Sequence, residues 1–179
     1  TDKSGNTGSA ATATATLDKA APAGYTITAG DSLVSASEAT STRFTFAGAE
    51  VGATYSYTVT SDGGAAAVTG SGTIASATEQ VTGIDVSSLP DGTLTFSVTL
   101  TDTAGNTGSA ATATTTLDTT APAGYSITAD DILIGASEAA ATSFTFAGAE
   151  IGATYSYTVT SDGGAAEVTG SGTIASATE

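Results

Sequence analysis

Residues 92–102 read GTLTFSVTLTD, and their strict alternation indicates a β-strand with one buried face. The apolar positions are every second residue: Leu94, Phe96, Val98 and Leu100. Thr and Ser fill the positions between them. A period of two places one set of side chains against a core and the other set in water.

The same alternation recurs along the chain, and no segment carries a sustained helical period. Apolar residues alternate with Thr and Ser in TYSYTVT at residues 54–60 and in TRFTFAG around Phe44 and Phe46. Further strands are predicted over residues 25–29, 67–74, 81–86 and 108–117. Gly, Asp, Ser and Pro cluster between these runs, as turn residues do. Seven short strands in about one hundred residues predict an all-β fold of tandem immunoglobulin-like seven-strand β-sandwich domains.

An internal repeat organises the chain into domains. Residues 1–79 align with residues 101–179, and 64 of the 79 pairs are identical. A period of this length suits a string of whole domains. We therefore expect residues 1–18 to be the C-terminal hairpin and linker of a preceding repeat, 19–118 a complete repeat, and 119–179 the N-terminal part of a following one. We also expect residues 119–179 not to close a sandwich by themselves and to be poorly ordered alone.

The composition limits the chemistry that the chain can perform. Eighteen acidic residues stand against three basic ones, giving a net charge of −15, and there is no Cys or His. Such a surface repels nucleic acid and anionic membranes and attracts divalent cations. Oxygen ligands without His or Cys select Ca²⁺ over transition metals, so Ca²⁺ is the predicted cofactor. No nucleophile with a partner base recurs, so we expect neither an enzyme nor a small-molecule substrate.

A repeated Asp-x-x-Gly-Asn motif has two compatible interpretations. It occurs as TDKSGNTG at residues 1–8 and as TDTAGNTG at residues 101–108. In the first interpretation it is a hairpin turn in which Gly-Asn supplies positive φ angles. In the second, Asp2 with Asn6, and Asp102 with Asn106, present side-chain oxygens to a hard cation.

The expected topology places further acids near this motif. In a seven-strand sandwich the end where the chain enters would bring Glu50, Asp102 and Asn106 close to Asp18 of the linker LDKAAPAG. The next linker, LDTTAPAG, holds Asp118, and its surroundings would include Glu150, Asp62, Asp85 and Asp91. Carboxylates that converge on a short linker repel one another unless a divalent ion bridges them.

A second candidate calcium loop lies between the first two predicted strands. Asp130, Asp131 and Glu138 occur in ADDILIGASEA, and Asp31 and Glu38 occupy the matching stretch AGDSLVSASEA. An acid pair around a short excursion could bind Ca²⁺ at a strand bend. Alternatively, these acids are solvated and protect an edge strand from pairing.

The motifs LDTTAPAG, GAEVGATYSYTV and LPDGTLTFSVTLTDTAGNTG, in this order, resemble the bacterial Ig-like repeats of giant calcium-dependent surface adhesins, the RTX and biofilm-associated class exported by type I secretion. The resemblance covers essentially the whole chain. It implies extender modules outside the bacterial cell that contact neighbouring repeats and project a distal binding region for adhesion or biofilm formation. It also implies calcium at Asp18 and Asp118 in the linkers and at Asp2, Asn6, Asp102 and Asn106 in the hairpin loops.

One other function stays open beside the spacer. The repeat could itself bind a carbohydrate or another surface ligand, and exposed aromatic side chains near a loop would be its sign. Tyr25, Tyr55 and Tyr57, however, lie at core positions in the alternation of their strands.

Overall fold

The computed structural model describes residues 1–179 as strands and turns without a helix. The chain divides into two compact units, Thr1–Thr119 and Thr120–Glu179. The first contains eight strands: β1 (Thr26–Ala29), β2 (Leu33–Val34), β3 (Thr42–Ala47), β4 (Thr54–Ser61), β5 (Val68–Thr73), β6 (Gln80–Ile84), β7 (Gly92–Thr101) and β8 (Ala111–Leu117). The second contains four: β9 (Ser126–Ala129), β10 (Phe144–Ala147), β11 (Thr154–Val159) and β12 (Val168–Thr173).

The first unit consists of two facing sheets. One has the strand order β1-β3-β6 and the other has the order β2-β8-β7-β4-β5. The neighbours are antiparallel except for β2 and β8, which run parallel. The longest ladder joins β4 to β7, from Thr54 opposite Thr101 to Ser61 opposite Leu94.

Aromatic side chains hold the two sheets together. Phe44 on β3 meets Tyr57 on β4 and Phe96 on β7, with ring centroids 5.8 and 6.0 Å apart. Phe46 meets Tyr55 at 5.7 Å. These contacts cross from one sheet to the other, so the first unit is a β-sandwich with an apolar core. The predicted alternation of β7 is confirmed, because Leu94, Phe96, Val98 and Leu100 are all fully buried.

Most strand boundaries shift by one or two residues from the prediction, and two differences are larger. Leu33–Val34 forms an additional short strand, pairing with β8 at Thr116 and Leu117. Two residues are too few to show a period, so sequence alternation cannot reveal this strand. Strand β8 begins at Ala111, whereas the prediction started it at Gly108. The preceding residues instead form the loop that follows β7, which includes a single bridge between Thr101 and Thr107.

The second unit has two separate two-stranded sheets, β9 with β10 and β11 with β12. Its register repeats that of β1 with β3 and of β4 with β5. Residues 120–179 align with residues 20–79, and the first unit also contains residues 80–118, which form β6, β7 and β8. Tyr125 is 54% exposed, whereas its counterpart Tyr25 is 7% exposed. No helix in the structure is long and apolar enough to cross a membrane.

Candidate metal centre

The Asp-x-x-Gly-Asn motif forms a closed loop at the end of β7. The backbone N–H of Asp102 donates to the carbonyl of Asn106 at 3.0 Å, and the N–H of Gly105 donates to the carbonyl of Asp102 at 3.2 Å. Gly105 has a φ of 92°, and no residue other than glycine has a positive φ. The expectation that Asn contributes a positive φ is therefore wrong. Glycine alone supplies it, since it has no Cβ to clash.

The carboxylate of Asp102 is enclosed by donors of its own loop. Its Oδ1 accepts from the backbone N–H of Ala104 at 2.9 Å and of Asn106 at 2.8 Å. Its Oδ2 accepts from the side-chain amide of Asn106, also at 2.8 Å. These hydrogen bonds, the side-chain bond from Asn106 first, hold the pKa of Asp102 below its usual range. Asp102 is therefore an ionised carboxylate at neutral pH even though it is a buried residue.

Residues 1–8 form the same loop without the rest of a domain around them. Oδ1 of Asp2 accepts from the N–H of Ser4 and of Asn6 at 2.9 Å each. The Asn6 side-chain amide donates to Oδ2 at 3.0 Å, and the pKa of Asp2 is lowered mainly by that bond. All eight residues are exposed, and no strand flanks them. The loop geometry therefore follows from the motif itself, as the turn interpretation requires.

The linker that enters the sandwich passes beside this loop. The side-chain amide of Asn106 also donates weakly to the backbone carbonyl of Asp18, at 3.4 Å. Oδ1 of Asp18 accepts from the N–H of Ala20 at 2.9 Å, which turns the linker locally. The structure thus brings Asp18 together with Asn106 and, through it, with Asp102.

The linker that leaves the sandwich is held at the other end. Oδ1 of Asp91 accepts from the N–H of Thr119 at 2.9 Å and from its hydroxyl at 2.8 Å. The N–H of Asp118 donates to the carbonyl of Val34 at 3.0 Å. Sequence reasoning named Asp91 only as a possible cation ligand and missed its contact with the linker. In the first linker, Lys19 occupies the position that corresponds to Thr119.

The acids of the second candidate loop bind different local partners. Asp31 forms an ion pair with Arg43 at 3.1 Å. Oε2 of Glu38 accepts from the N–H and the hydroxyl of Ser35 at 3.0 and 2.7 Å, and these bonds lower its pKa. No hydrogen bond joins Asp31 to Glu38, but the Arg43 charge acts on both: it pairs with Asp31 and contributes to the lowered pKa of Glu38.

The second copy of that loop differs because Ser143 replaces the arginine. The carboxylate of Asp130 accepts from the hydroxyls of Ser143 and Thr145 at 2.5 and 2.8 Å, which lowers its pKa. Glu138 accepts from the N–H of Gly135 at 2.8 Å, as Glu38 does at Ser35. Asp131 is exposed.

The donor chemistry at the entering linker suits a hard cation. The Asp102 carboxylate and the Asp18 carbonyl are oxygen ligands of the type that Ca²⁺ prefers, whereas Asn106 turns its NH₂ group, not its amide oxygen, toward both. Ca²⁺ takes about six to eight such ligands, so water would complete its shell. No group of three or more Asp, Glu, His or Cys side chains among residues 1–179 is close enough to hold a metal ion. The residues thus match the ligand type that Ca²⁺ prefers, but they do not supply a complete set of protein ligands.

The hydroxyl of Tyr25 makes two hydrogen bonds within the sandwich that the sequence did not predict. It donates to the carbonyl of Ser109 at 2.5 Å and accepts from the N–H of Leu100 at 3.1 Å. It therefore ties the start of the domain to β7 and to the loop before β8. The only signal in the sequence is a tyrosine where phenylalanine would fill the same core position.

No protein-family model and no curated protein matches the chain. Among solved structures, it is similar to a crystal structure of a tetra-tandem repeat in the extending region of a large adhesion protein. The sequences are 24% identical, the TM-score is 0.44, and the match covers 85% of this chain and 38% of that one.

Proposed function

We propose that the repeats are immunoglobulin-like spacer modules of a large bacterial cell-surface adhesin, which hold a distal binding region away from the cell. One observation carries this proposal: the linker on each side of the complete sandwich is hydrogen-bonded to a loop of that sandwich. Asn106 binds the carbonyl of Asp18, and Asp91 binds Thr119. Linkers fixed in this way favour an extended string of domains over a freely jointed one.

The dimensions of the sandwich suit this role. Strand β7 has ten residues, and at about 3.3 Å per residue it spans roughly 33 Å. Each repeat would therefore add a few nanometres to the length of the protein. The formal net charge of the 179-residue chain is −15, so negatively charged modules repel one another and stay apart.

Within this proposal, Ca²⁺ stiffens the linkers. Asp102 and Asp18 would hold the ion at the entering linker, with the Asn106 amide turned so that its oxygen faces the ion. Asp118 would take part at the leaving linker. The bound cation would offset the repulsion between neighbouring carboxylates. The hydrogen bonds to Asp102 keep that group ionised without metal, so the site needs no proton loss to bind.

The tyrosines give no support to a carbohydrate-binding role for the complete repeat. Tyr25 is buried, and Tyr55 and Tyr57 are half-buried against the core. None of them offers the exposed aromatic face that stacks on a sugar ring.

The test has two readouts, one for calcium and one for length. Thermal unfolding of the chain is followed in chelator, in Ca²⁺ and in Mg²⁺, with Asn106→Ala as the matched variant. Saturation at a hundredfold excess over Kd adds about 2.7 kcal/mol per site. A rise specific to Ca²⁺ that Asn106→Ala abolishes is expected, and the same midpoint in all three media would rule out the calcium role.

Small-angle scattering of arrays with increasing numbers of complete repeats measures length. We expect the maximum dimension to grow by a constant increment for each added repeat. A dimension that grows only as the square root of the repeat number would contradict the spacer proposal, whatever the calcium result.

A further inference from the structure

Strand β5 forms an open edge of the complete sandwich. It is the last strand in the order β2-β8-β7-β4-β5, so β4 is the only strand that pairs with it. The ladder between β4 and β5 continues over all six residues of β5 without a register shift. A regular edge strand of this kind presents backbone N–H and C=O groups that can pair with a further strand.

A hydrogen bond just after β5 shows which of its backbone groups point outward. The N–H of Ile74 donates to the carbonyl of Ala53 at 2.9 Å, so the backbone groups of Ile74 face β4. In an antiparallel ladder the direction of these groups alternates from residue to residue. The backbone groups of Thr69, Ser71 and Thr73 therefore point away from β4.

The other edges of the sandwich are short, irregular or covered. Strand β2 has two residues. Strand β1 has four residues and lies against β8. Strand β6 pairs with β3 through a register shift between Thr42 and Phe44, and it contains Gly83 with a φ of 73°. Shortness, irregularity and coverage all hinder pairing with another chain, and β5 has none of these protections.

The charge pattern around β5 indicates what could pair with it. Residues 63–78 contain no charged residue and no proline, although the chain carries 18 acidic residues. Two copies of such an acidic chain repel each other, and they approach at the lowest cost where both lack carboxylates. A basic partner would be attracted to the acidic loops instead. The uncharged edge therefore favours a second copy of the same strand.

We propose that β5 of one chain pairs antiparallel with β5 of a second copy, about a two-fold axis at Ser71. Ser71 would face Ser71 of the second copy, and Thr69 would face Thr73 of the second copy. The outward backbone groups of these residues would form three hydrogen-bonded pairs of two bonds each. The contact is self-complementary, as a two-fold interface requires.

The side chains on the outer face of the sheet suit this pairing. Thr69, Ser71 and Thr73 are exposed, and their hydroxyl groups are small. Across the new pair of strands, threonine would face threonine and serine would face serine, and such cross-strand hydroxyl pairs are favourable. The two five-stranded sheets would then form one continuous sheet.

The same edge recurs in the repeat. The sequence VTGSGT of β5 is unchanged in β12, so successive repeats offer the same strand. Pairing at several repeats would strengthen the association of two chains by avidity. Because the pairing is antiparallel, the paired domains point in opposite directions, as in strings of repeats that extend from two facing surfaces. That consequence rests on the proposed spacer role, whereas the strand pairing does not.

Disulfide formation between single-cysteine chains tests the pairing directly. The chain has no cysteine, so Ser71→Cys introduces the only thiol. In a hydrogen-bonded antiparallel pair the facing Cα atoms are about 5.5 Å apart, a separation that a disulfide can span. The control is Thr112→Cys, an exposed position on β8 of the same sheet but away from the β5 edge.

Under mild oxidation, Ser71→Cys should form disulfide-linked dimers on the order of tenfold faster than Thr112→Cys, because pairing raises the local thiol concentration. A mixture of Thr69→Cys and Thr73→Cys chains should also cross-link rapidly. Thr69→Cys alone should not, because four residues along a strand separate its two copies by about 13 Å. Equal rates for Ser71→Cys and Thr112→Cys would overturn the proposal, as would rapid cross-linking of Thr69→Cys alone.

Charges at the centre of the contact provide a second test, followed by sedimentation. Strand β12 carries the same serine, so each variant changes Ser71 and Ser171 together. Substitution of both by Glu, or of both by Lys, should weaken self-association, because like charges would face each other. An equimolar mixture of the two variants should associate again, since each glutamate then faces a lysine.

The matched control for this mixture combines Thr112→Glu chains with Thr112→Lys chains, which carry the same opposite charges away from the edge. That mixture should associate no more than its components do. The proposal is wrong if the Ser71 and Ser171 mixture associates no more than the Thr112 mixture.

Discussion

The phenol ring of Tyr57 on β4 lies over Gly70, its register partner on β5. A Cβ built at Gly70 would overlap the ring, and Tyr55 covers Gly72 in the same way. The two rings also stack on each other, with centroids 6.5 Å apart. The glycines of VTGSGT therefore leave room for the rings of Tyr55 and Tyr57 to lie over β5. Each ring covers the backbone of one glycine.

Gly70→Ala should destabilise the sandwich by about 1–3 kcal/mol, the usual cost of overpacking, because the methyl group displaces the Tyr57 ring. Chemical denaturation measures the change. The control is Gly8→Ala, since a Cβ at Gly8 meets no atom within 4 Å and should change stability little. Combining Gly70→Ala with Tyr57→Ala should cost less than the sum of the two single changes. Strict additivity would show that the ring and the methyl group do not compete.

Tyr25→Phe should destabilise the sandwich by about 1–3 kcal/mol, because the N–H of Leu100 and the carbonyl of Ser109 lose their shared partner. The chain contains its own control in Tyr125→Phe, where the equivalent side chain is largely exposed. Thermal unfolding of both variants separates the hydroxyl contact from ring packing. Equal effects of the two substitutions would show that the hydroxyl of Tyr25 contributes nothing specific.

Asp102→Asn should lower the melting temperature at neutral pH and have little effect in strong acid. Folding lowers the pKa of Asp102, so its stabilising contribution is complete above the unfolded value of about 3.9. It is lost as the pH falls through the lower folded value. The side-chain NH₂ group of the new asparagine would also face N–H donors of the loop, which it cannot accept from. Melting temperatures in chelator from pH 7 to pH 2 test this.

Asp2→Asn is the matched control for this pH series. Asp2 makes the same loop contacts and has a lowered pKa, but its loop is not part of the sandwich. The melting temperature of the sandwich should therefore be unchanged at every pH. A pH-independent difference between wild type and Asp102→Asn would contradict the assignment to the ionised carboxylate.

Asp91→Ala should speed amide hydrogen exchange at Thr119 roughly fivefold, since the lost hydrogen bond contributes about 1 kcal/mol. The control is Asp85→Ala, because Asp85 accepts only within its own turn, from the N–H and hydroxyl of Ser87. That change should leave Thr119 unaffected. Exchange at Thr119 that is equally fast in both variants would mean that Asp91 does not hold the linker.

The strands were predictable where alternation persists over several residues. Leu94 to Leu100 show a period of two because a single face of β7 packs on the core. The pairing of Leu33–Val34 with β8 could not be predicted from a period, since only two residues take part. The space that Gly70 leaves for Tyr57 is also invisible in the sequence, because the two residues meet only through the register of β4 and β5.

The candidate site was predictable in composition but not in detail. The repeated motif marked Asp102 and Asn106, and the topology argument placed Asp18 near them. The structure adds that Asn106 bonds to the carbonyl of Asp18, 88 residues earlier in the chain. Local sequence cannot encode such a contact by itself. The role of Asp91 at Thr119 likewise depends on where β8 ends relative to the loop before β7.

The parallel pair of β2 and β8 lies where mechanical load would pass through the sandwich. The chain enters before β2 and leaves after β8, so pulling on its two ends drags these strands in opposite directions along their length. Three hydrogen bonds would then resist together: Thr115 Oγ1 to the Asp31 carbonyl at 2.6 Å, Thr116 N to Ser32 O at 3.3 Å, and Asp118 N to Val34 O at 3.0 Å. Bonds loaded in shear must break together, whereas a peeled edge loses them one at a time. We therefore expect Thr115→Val to lower the unfolding force in single-molecule pulling, so that the shortest strand of the sandwich serves as its tensile clamp.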